Sequence, residues 1–132
     1  MSEKKLSFPK NKIKVLLLEK IDTIAKSIFE KEGYEIETFD TSLNEKELSE
    51  KIKDISILGI RSKTIITKKV LQSANRLLSI GAYCIGINQI NLKECQKKGV
   101  IVFNAPFSNT RSVVEIVIAQ IIILMRNIIR KS

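Results

Sequence analysis

The sequence predicts an α/β fold in which a five-stranded parallel sheet carries helices on both faces and the chain ends in one long apolar helix. Short apolar runs alternate five times with segments whose apolar residues have helical spacing, and the connections between them are short. Continuous apolar runs such as IKVLLL, residues 13–18, are typical of strands that are buried on both faces of a parallel sheet. A flavodoxin-like strand order fits these five units best.

Strands and helices are expected in strict alternation along the chain. The apolar pattern predicts strands at residues 13–18, 34–39, 55–60, 77–82 and 100–103, and helices at residues 21–31, 42–54, 67–74, 91–98 and 112–130. Gly33 and Gly99 follow two of these helices, where glycine is favoured because it readily adopts the left-handed conformation that ends a helix. Ser42, with Glu45 three residues later, is expected to cap the second helix.

The composition is that of one soluble globular domain. The chain has 132 residues, of which 44% are hydrophobic and 28% are charged, and this length is too short for two ordinary domains. The first ten residues contain no apolar segment of signal-peptide length. The two cysteines, Cys84 and Cys95, indicate no disulfide framework, so a cytoplasmic setting is expected.

The formal net charge of +9 raises the question of a nucleic-acid partner. The lysines are scattered among glutamates on predicted solvent faces of helices, and no aromatic residues are interleaved with them. No zinc-ligand pattern and no Gly-rich RNA-binding motif is present in the sequence. A lysine-rich solvated surface is therefore favoured over a binding stripe, and no specific nucleic-acid partner is expected.

The loop after the third predicted strand carries side chains that would suit a bound anion. Arg61, Ser62, Lys63 and Thr64 follow that strand directly, at the sheet edge where parallel sheets bind ligands. A guanidinium group suits a carboxylate or a phosphate, because it donates two parallel hydrogen bonds. The alternative is a helix-entry loop whose charges are simply solvated.

The loop after the fourth predicted strand contains Gly81 and Gly86 at the outer spacing of a phosphate-binding loop. No Lys-Ser or Lys-Thr pair follows Gly86, so a nucleoside-triphosphate loop is rejected. A glycine-bearing turn that exposes backbone N–H groups remains, which is a weak anion site by itself. Cys84 is not expected to act as a nucleophile, because the sequence contains no histidine to activate it.

The loop before the last helix is the third polar segment at this edge. Ser112 and Glu115 predict a capping box, and the N–H groups of that helix start would favour a nearby anion. The alternative makes Asn109 a turn former and Arg111 a surface charge. Because three polar loops converge at one sheet edge, a binding site is predicted there.

The stretches IRSKT, YCIGINQINL and FNAPFSNTRSVVE resemble the amino-terminal part of the D-isomer-specific 2-hydroxyacid dehydrogenase family, in its branch that acts on 3-phosphoglycerate. The resemblance runs from about Lys12 to the chain end. It implies NAD-dependent oxidation of 3-phosphoglycerate to 3-phosphohydroxypyruvate in L-serine biosynthesis, with a small phosphorylated hydroxy acid as the partner. It also implies substrate contacts from Arg61, Ser62, Lys63, Tyr83, Cys84, Ile85, Gly86 and Asn109, with Ile85 against the nicotinamide of NAD.

The sequence also departs from the family pattern. It contains no G-x-G-x-x-G motif and no histidine, so the chain by itself is expected to be inactive. The expected organisation is a basic tail at residues 1–11, a substrate-binding domain at 12–110, and the first helix of an NAD-binding domain at 111–132. The alternative is a non-catalytic α/β module that binds a partner or a small anion.

The last predicted helix is apolar on nearly every side. Residues 113–125 (VVEIVIAQIIILM) contain two polar residues, Glu115 and Gln120. The apolar run is too short, and too charged at its end, to span a membrane, so no membrane partner is expected. Two apolar faces of this helix are expected to stay exposed to solvent. The chain is therefore predicted to self-associate into a homo-oligomer through this helix.

Overall fold

A computed structural model of the chain describes residues 12–84, 86–104 and 111–131. Within them the strands are β1 (Lys14–Leu17), β2 (Glu35–Thr38), β3 (Ile57–Ile60), β4 (Ser79–Ala82) and β5 (Ile101–Asn104). The helices are α1 (Thr23–Lys31), α2 (Glu45–Lys51), α3 (Lys68–Ser73), α4 (Leu92–Lys98) and α5 (Arg111–Lys131), and a 3₁₀ turn (Ile52–Asp54) extends α2. The predicted alternation of strands and helices is confirmed.

The described strands form one parallel sheet in the order β2-β1-β3-β4-β5. Every pair of neighbours is parallel, and Leu16 of β1 aligns with Leu58 of β3, which aligns with Ile80 of β4. This is the predicted flavodoxin-like order. The central strands are apolar on both faces because helices cover both sides of the sheet.

Alternating side chains of β1, and of Leu18 directly after it, build two separate core layers. Leu16 and Leu18 pack on one face, with side chains of α2, α3 and α4. Val15 and Leu17 pack on the other face, with side chains of α1 and α5. All four are at most 2% exposed, and full burial of such a side chain contributes about 1.5–3 kcal/mol.

Two strand glycines make room for one aromatic ring on the α1 and α5 face. A Cβ atom on Gly59 would lie 3.2 Å from Cε2 of Tyr83, and one on Gly81 would lie 3.1 Å from its hydroxyl oxygen. The Tyr83 ring therefore fills the space that the two missing side chains leave. A larger residue in place of either glycine would therefore crowd the ring.

The structure corrects the predicted start of α2. Its N-cap is Asn44, whose side chain accepts a hydrogen bond from the Glu47 N–H at 2.8 Å, while the Glu47 carboxylate accepts one from the Asn44 N–H at 3.1 Å. The prediction of a Ser42–Glu45 box was wrong by two residues. The backbone of Asn44 is extended, so Ser42 lies outside the helix, and asparagine caps as well as serine does.

The carboxyl ends of α1 and α4 agree with the sequence prediction. Gly33, two residues after the end of α1, and Gly99, directly after α4, have positive φ angles of 88° and 73°, as left-handed helix ends require. The N-cap of α1 is Asp22, which accepts a hydrogen bond from the Ile24 N–H at 2.9 Å, so this helix begins two residues later than predicted. The Ser112 side chain and the tail at residues 1–11 lie outside the described residues, so the predictions for them stay predictions.

The structure buries more of α5 than the sequence predicts. One face of the helix packs on the sheet beside α1, through Val117, Ile118, Ile121, Ile122 and Met125. Among the described residues of α5, Ile116 and Ile123 are the large apolar side chains that stay exposed, at 58% and 59%. The expectation of two bare apolar faces is therefore wrong. In the described part of the chain, no helix has the length and apolar character needed to cross a membrane.

Candidate functional site

The carboxyl ends of the parallel strands meet at one edge of the sheet, and a polar cleft opens there. It is lined by Glu19, Asp40, Thr41, Ser42, Arg61, Ser62 and Lys63, which come from the loops after β1, β2 and β3. Its volume is about 490 Å³, within the range of roughly 300–1,000 Å³ that is typical of small-molecule sites. The cleft therefore lies where open parallel sheets bind ligands.

A buried glutamate organises the loop after β3. Glu19 is 8% exposed, and its Oε2 accepts hydrogen bonds from the Arg61 N–H at 2.8 Å, the Thr64 N–H at 3.0 Å and the Thr64 hydroxyl at 2.7 Å. Its Oε1 accepts a hydrogen bond from the Lys63 N–H at 2.9 Å. Four donors from one short loop thus converge on a single carboxylate.

The hydrogen bonds keep this carboxylate ionised. Burial opposes the charge of Glu19, but the donations from the Thr64 hydroxyl and from the backbone of Lys63, Arg61 and Thr64 outweigh it, and the pKa of Glu19 lies below its ordinary value. An ionised acceptor makes stronger hydrogen bonds than a neutral one. The folded loop is therefore stabilised by a fixed negative charge.

The backbone that carries Glu19 is strained. Glu19 and Lys20 have φ angles of 64° and 53°, in the left-handed region that costs a residue with a side chain roughly 1–2 kcal/mol. Two backbone hydrogen bonds hold this turn: the Glu19 N–H donates to the Thr41 carbonyl at 3.1 Å, and the Lys20 N–H donates to the Phe39 carbonyl at 3.1 Å. The turn aims the Glu19 side chain under the neighbouring loop.

A second contact fixes the same loop from the side of β4. Nε2 of Gln89 donates to the Arg61 carbonyl at 2.9 Å and to Sγ of Cys84 at 3.2 Å. The two loops also pair through Ile66, whose N–H donates to the Gln89 carbonyl at 2.9 Å. Arg61 is therefore held at its N–H group by Glu19 and at its carbonyl by Gln89.

These contacts leave three side chains free to bind a ligand. Arg61, Ser62 and Lys63 are exposed at the cleft. A guanidinium group, a hydroxyl group and an ammonium group together suit a small molecule that carries a carboxylate, a phosphate or both.

The predicted site residues fall into three groups. Arg61, Ser62 and Lys63 lie together at the cleft. Cys84 and Gly86 lie in the neighbouring loop, where Sγ of Cys84 donates to the Gly86 carbonyl at 3.0 Å. Ile85 and Asn109 lie outside the described residues.

The Tyr83 side chain lies in the core of the domain. Its side chain is 6% exposed and belongs to the core layer beneath α1 and α5. Its N–H group donates to the Ile60 carbonyl at 2.9 Å. Burial also raises the pKa of its hydroxyl far above the ordinary value. The ring of Tyr83 therefore belongs to the core, and the substrate contact predicted for this residue stays a prediction.

Sequence reasoning missed Glu19 and Gln89. The signal for Glu19 was an acidic residue placed directly after a fully apolar strand, at the edge where ligand loops gather. The donors that it satisfies lie 42 to 45 residues further along the chain, so the pairing needs the folded sheet. Gln89 had no comparable local signal.

Comparison with known proteins places the chain in a family. The family model described as D-isomer specific 2-hydroxyacid dehydrogenase, catalytic domain, matches residues 15–120. A D-3-phosphoglycerate dehydrogenase of Dictyostelium discoideum is 52% identical over 122 residues, which are 92% of this chain and 30% of that protein. D-3-phosphoglycerate dehydrogenase 1 of Saccharomyces cerevisiae is 51% identical over 121 residues, 92% of this chain and 26% of that protein.

Solved structures show the same fold. The NAD⁺-bound 3-phosphoglycerate dehydrogenase of Entamoeba histolytica superposes with a TM-score of 0.63 at 20% identity, over 70% of this chain and 32% of its own. The D-lactate dehydrogenase of Escherichia coli superposes with a TM-score of 0.63 at 22% identity, over 90% of this chain and 39% of its own. This chain spans less than a third of the length of the two sequence relatives. It belongs to the D-isomer specific 2-hydroxyacid dehydrogenase family, whose catalytic-domain model accounts for most of its residues.

Proposed function

We propose that this chain is the substrate-binding portion of a D-3-phosphoglycerate dehydrogenase. In the whole protein it would bind 3-phosphoglycerate for NAD-dependent oxidation to 3-phosphohydroxypyruvate, in cytoplasmic L-serine biosynthesis. The observation that carries the proposal is the set of exposed Arg61, Ser62 and Lys63 side chains at one cleft. The relatives at 51–52% identity support the substrate.

The charges of the cleft match the charges of this ligand. 3-Phosphoglycerate carries a carboxylate at one end and a phosphate at the other, and the Arg61 fork and the Lys63 ammonium group offer one cation for each. Asp40 lines the other side of the same cleft. Its negative charge disfavours an anion there, so the ligand is directed toward the loop after β3.

The residues of this chain do not fit the NAD that the family uses. Its five glycines are Gly33, Gly59, Gly81, Gly86 and Gly99. Gly33 and Gly99 end helices, and Gly59 and Gly81 lie inside strands beneath the Tyr83 ring. They form no glycine-rich loop that could hold the pyrophosphate. We therefore derive no hydride-transfer step from this chain and propose that the chain by itself shows no NADH formation from NAD and 3-phosphoglycerate.

The test of substrate binding is an NMR titration of the chain with 3-phosphoglycerate. We expect a dissociation constant near 1 mM or weaker, equal to about 4 kcal/mol of binding free energy. The backbone amide signals of Ser62, Lys63 and Gly86 should move in a saturable way. Shifts confined to the lysine-rich helices would contradict the proposal, because they would show only screening of surface charge.

Matched variants make the test specific. Arg61→Gln and Lys31→Gln each remove one positive charge, but Lys31 is exposed in the last turn of α1, at the opposite edge of the sheet. Arg61→Gln should abolish saturable binding, whereas Lys31→Gln should leave it unchanged. Equal binding of inorganic phosphate and 3-phosphoglycerate would instead favour the alternative, a small-anion module.

The assignment of α5 is also a proposal. In the whole protein we propose that residues 111–132 lead into the NAD-binding domain, and that the exposed Ile116 and Ile123 side chains take part in a homo-oligomer contact. In the described chain, α5 covers one face of the sheet beside α1. The ion pair between Arg126 and Glu32, at 2.6 Å, joins these two helices.

A further inference from the structure

We infer that Glu19 is a positioning residue that acts as a built-in anion, so that a ligand at the cleft is bound by the side chains of Arg61, Ser62 and Lys63 and not by the loop backbone. Its carboxylate occupies the N–H groups of Arg61, Lys63 and Thr64. The identity of the ligand rests on the proposed function, whereas the role of Glu19 in the loop does not.

The backbone N–H donors of this loop are already occupied by Glu19. Successive N–H groups that point at one spot form a concave site for anions such as phosphate. In this loop three such groups already point at the Glu19 carboxylate, at distances of 2.8–3.0 Å. A second anion at the same spot would be repelled by the Glu19 charge. The phosphate or carboxylate of a ligand must therefore be bound further out, by side chains.

Two backbone hydrogen bonds of Arg61 orient the start of its side chain. The Arg61 N–H donates to Glu19 at 2.8 Å, and its carbonyl accepts from Gln89 at 2.9 Å. Because both backbone groups are fixed, the Cα–Cβ bond of Arg61 already has a defined direction in the ligand-free protein. Ordering this loop then costs little when a ligand binds, which favours affinity. Glu19 thus acts on the ligand through Arg61.

An acid titration provides the first test, because it needs no substitution at Glu19. An NMR titration with acid should move the amide signals of Arg61, Lys63 and Thr64 together, with one apparent pKa below that of an ordinary glutamate. Asp40 is a second acidic residue that lines the same cleft, together with Arg61 and Lys63, so the experiment is repeated in Asp40→Asn. Three amide signals that do not share one midpoint in that variant would overturn the inference.

Chemical rescue provides the second test. In Glu19→Ala, the shift produced by low concentrations of 3-phosphoglycerate at the Ser62 amide should fall about tenfold, equal to about 1.4 kcal/mol of binding free energy. Added acetate should move the Arg61, Lys63 and Thr64 amides and restore the 3-phosphoglycerate response. A merely structural role predicts no recovery with acetate. Unchanged binding in Glu19→Ala, or no rescue, would refute the inference.

The control is Glu30→Gln, which removes one exposed carboxylate from α1 and should bind as wild type does. If wild-type protein does not bind 3-phosphoglycerate at all, the proposed function fails. The acid titration of the three amide signals still decides the role of Glu19. The two failures are therefore distinguishable.

Discussion

Replacing the buried Glu19 carboxylate with an uncharged amide should destabilise the fold in a pH-dependent way. In Glu19→Gln, the amide oxygen can take the place of Oε2 and keep its three donors, which come from Arg61 and Thr64. The amide NH₂ group then faces the Lys63 N–H, which loses its acceptor. The Lys63 N–H is partly buried, and two donors that face each other there cost about 1–3 kcal/mol.

The three remaining hydrogen bonds also weaken, because a charged acceptor binds donors more strongly than a neutral one does. Part of this loss is offset, since the amide is cheaper to bury than the carboxylate. We expect a net loss of about 2–4 kcal/mol in the free energy of unfolding at neutral pH. The free energy of unfolding of a native domain is about 5–15 kcal/mol, so the variant should still fold.

The sign of the pH dependence follows from the pKa of Glu19. Because the folded pKa lies below the ordinary value of 4.5, the carboxylate contributes fully to stability above the unfolded pKa. That contribution is lost as the pH falls through the folded pKa. The Gln variant has no such group at this position. The stability difference between wild type and Glu19→Gln should therefore be largest near neutral pH and shrink in acid.

Urea unfolding followed by circular dichroism measures this difference. With a urea dependence of about 2 kcal/mol per M, the midpoint of Glu19→Gln should fall by about 1–2 M at neutral pH. The exposed Glu30→Gln control should stay within about 0.5 kcal/mol of wild type. A difference of the same size in neutral and in acidic buffer would refute the reasoning, because it would show that the charge of Glu19 is not what stabilises the loop.

Two further predictions concern the helices. Asn44→Ala should lower the free energy of unfolding by about 1 kcal/mol, whereas Ser42→Ala should leave it nearly unchanged. Thermal unfolding measures both variants. Equal effects of the two substitutions would mean that the cap of α2 is not at Asn44. Changing both Ile116 and Ile123 to glutamate should weaken self-association measured by sedimentation equilibrium at tens of micromolar, because these side chains are more than half exposed on α5. A wild-type chain that is monomeric there would contradict the proposed contact.

The fold could be predicted because its determinants are local. A run such as residues 13–18 is apolar at every position, which indicates a strand covered on both faces. Gly33 and Gly99 mark helix ends because a left-handed residue is needed there, whatever the rest of the chain does. The start of α2 was misplaced because Ser42 and Asn44 offer overlapping capping patterns, and the local sequence does not choose between them.

The candidate site was only partly predictable. Arg61, Ser62 and Lys63 could be found from their position after a buried strand. The burial of the Tyr83 ring could not be predicted, since it depends on the space beside Gly59, which belongs to a different strand.

The order of strands and helices, and the loop that carries the exposed cations, can therefore be predicted from local sequence patterns. The way in which that loop is held depends on the folded sheet. Glu19 reaches donors more than 40 residues away because β1 and β3 are neighbours in the sheet, and Gln89 reaches the same loop from the side of β4. Hydrogen bonds between distant segments have no period or spacing in the sequence, so they appear only once parallel strands bring their carboxyl ends together.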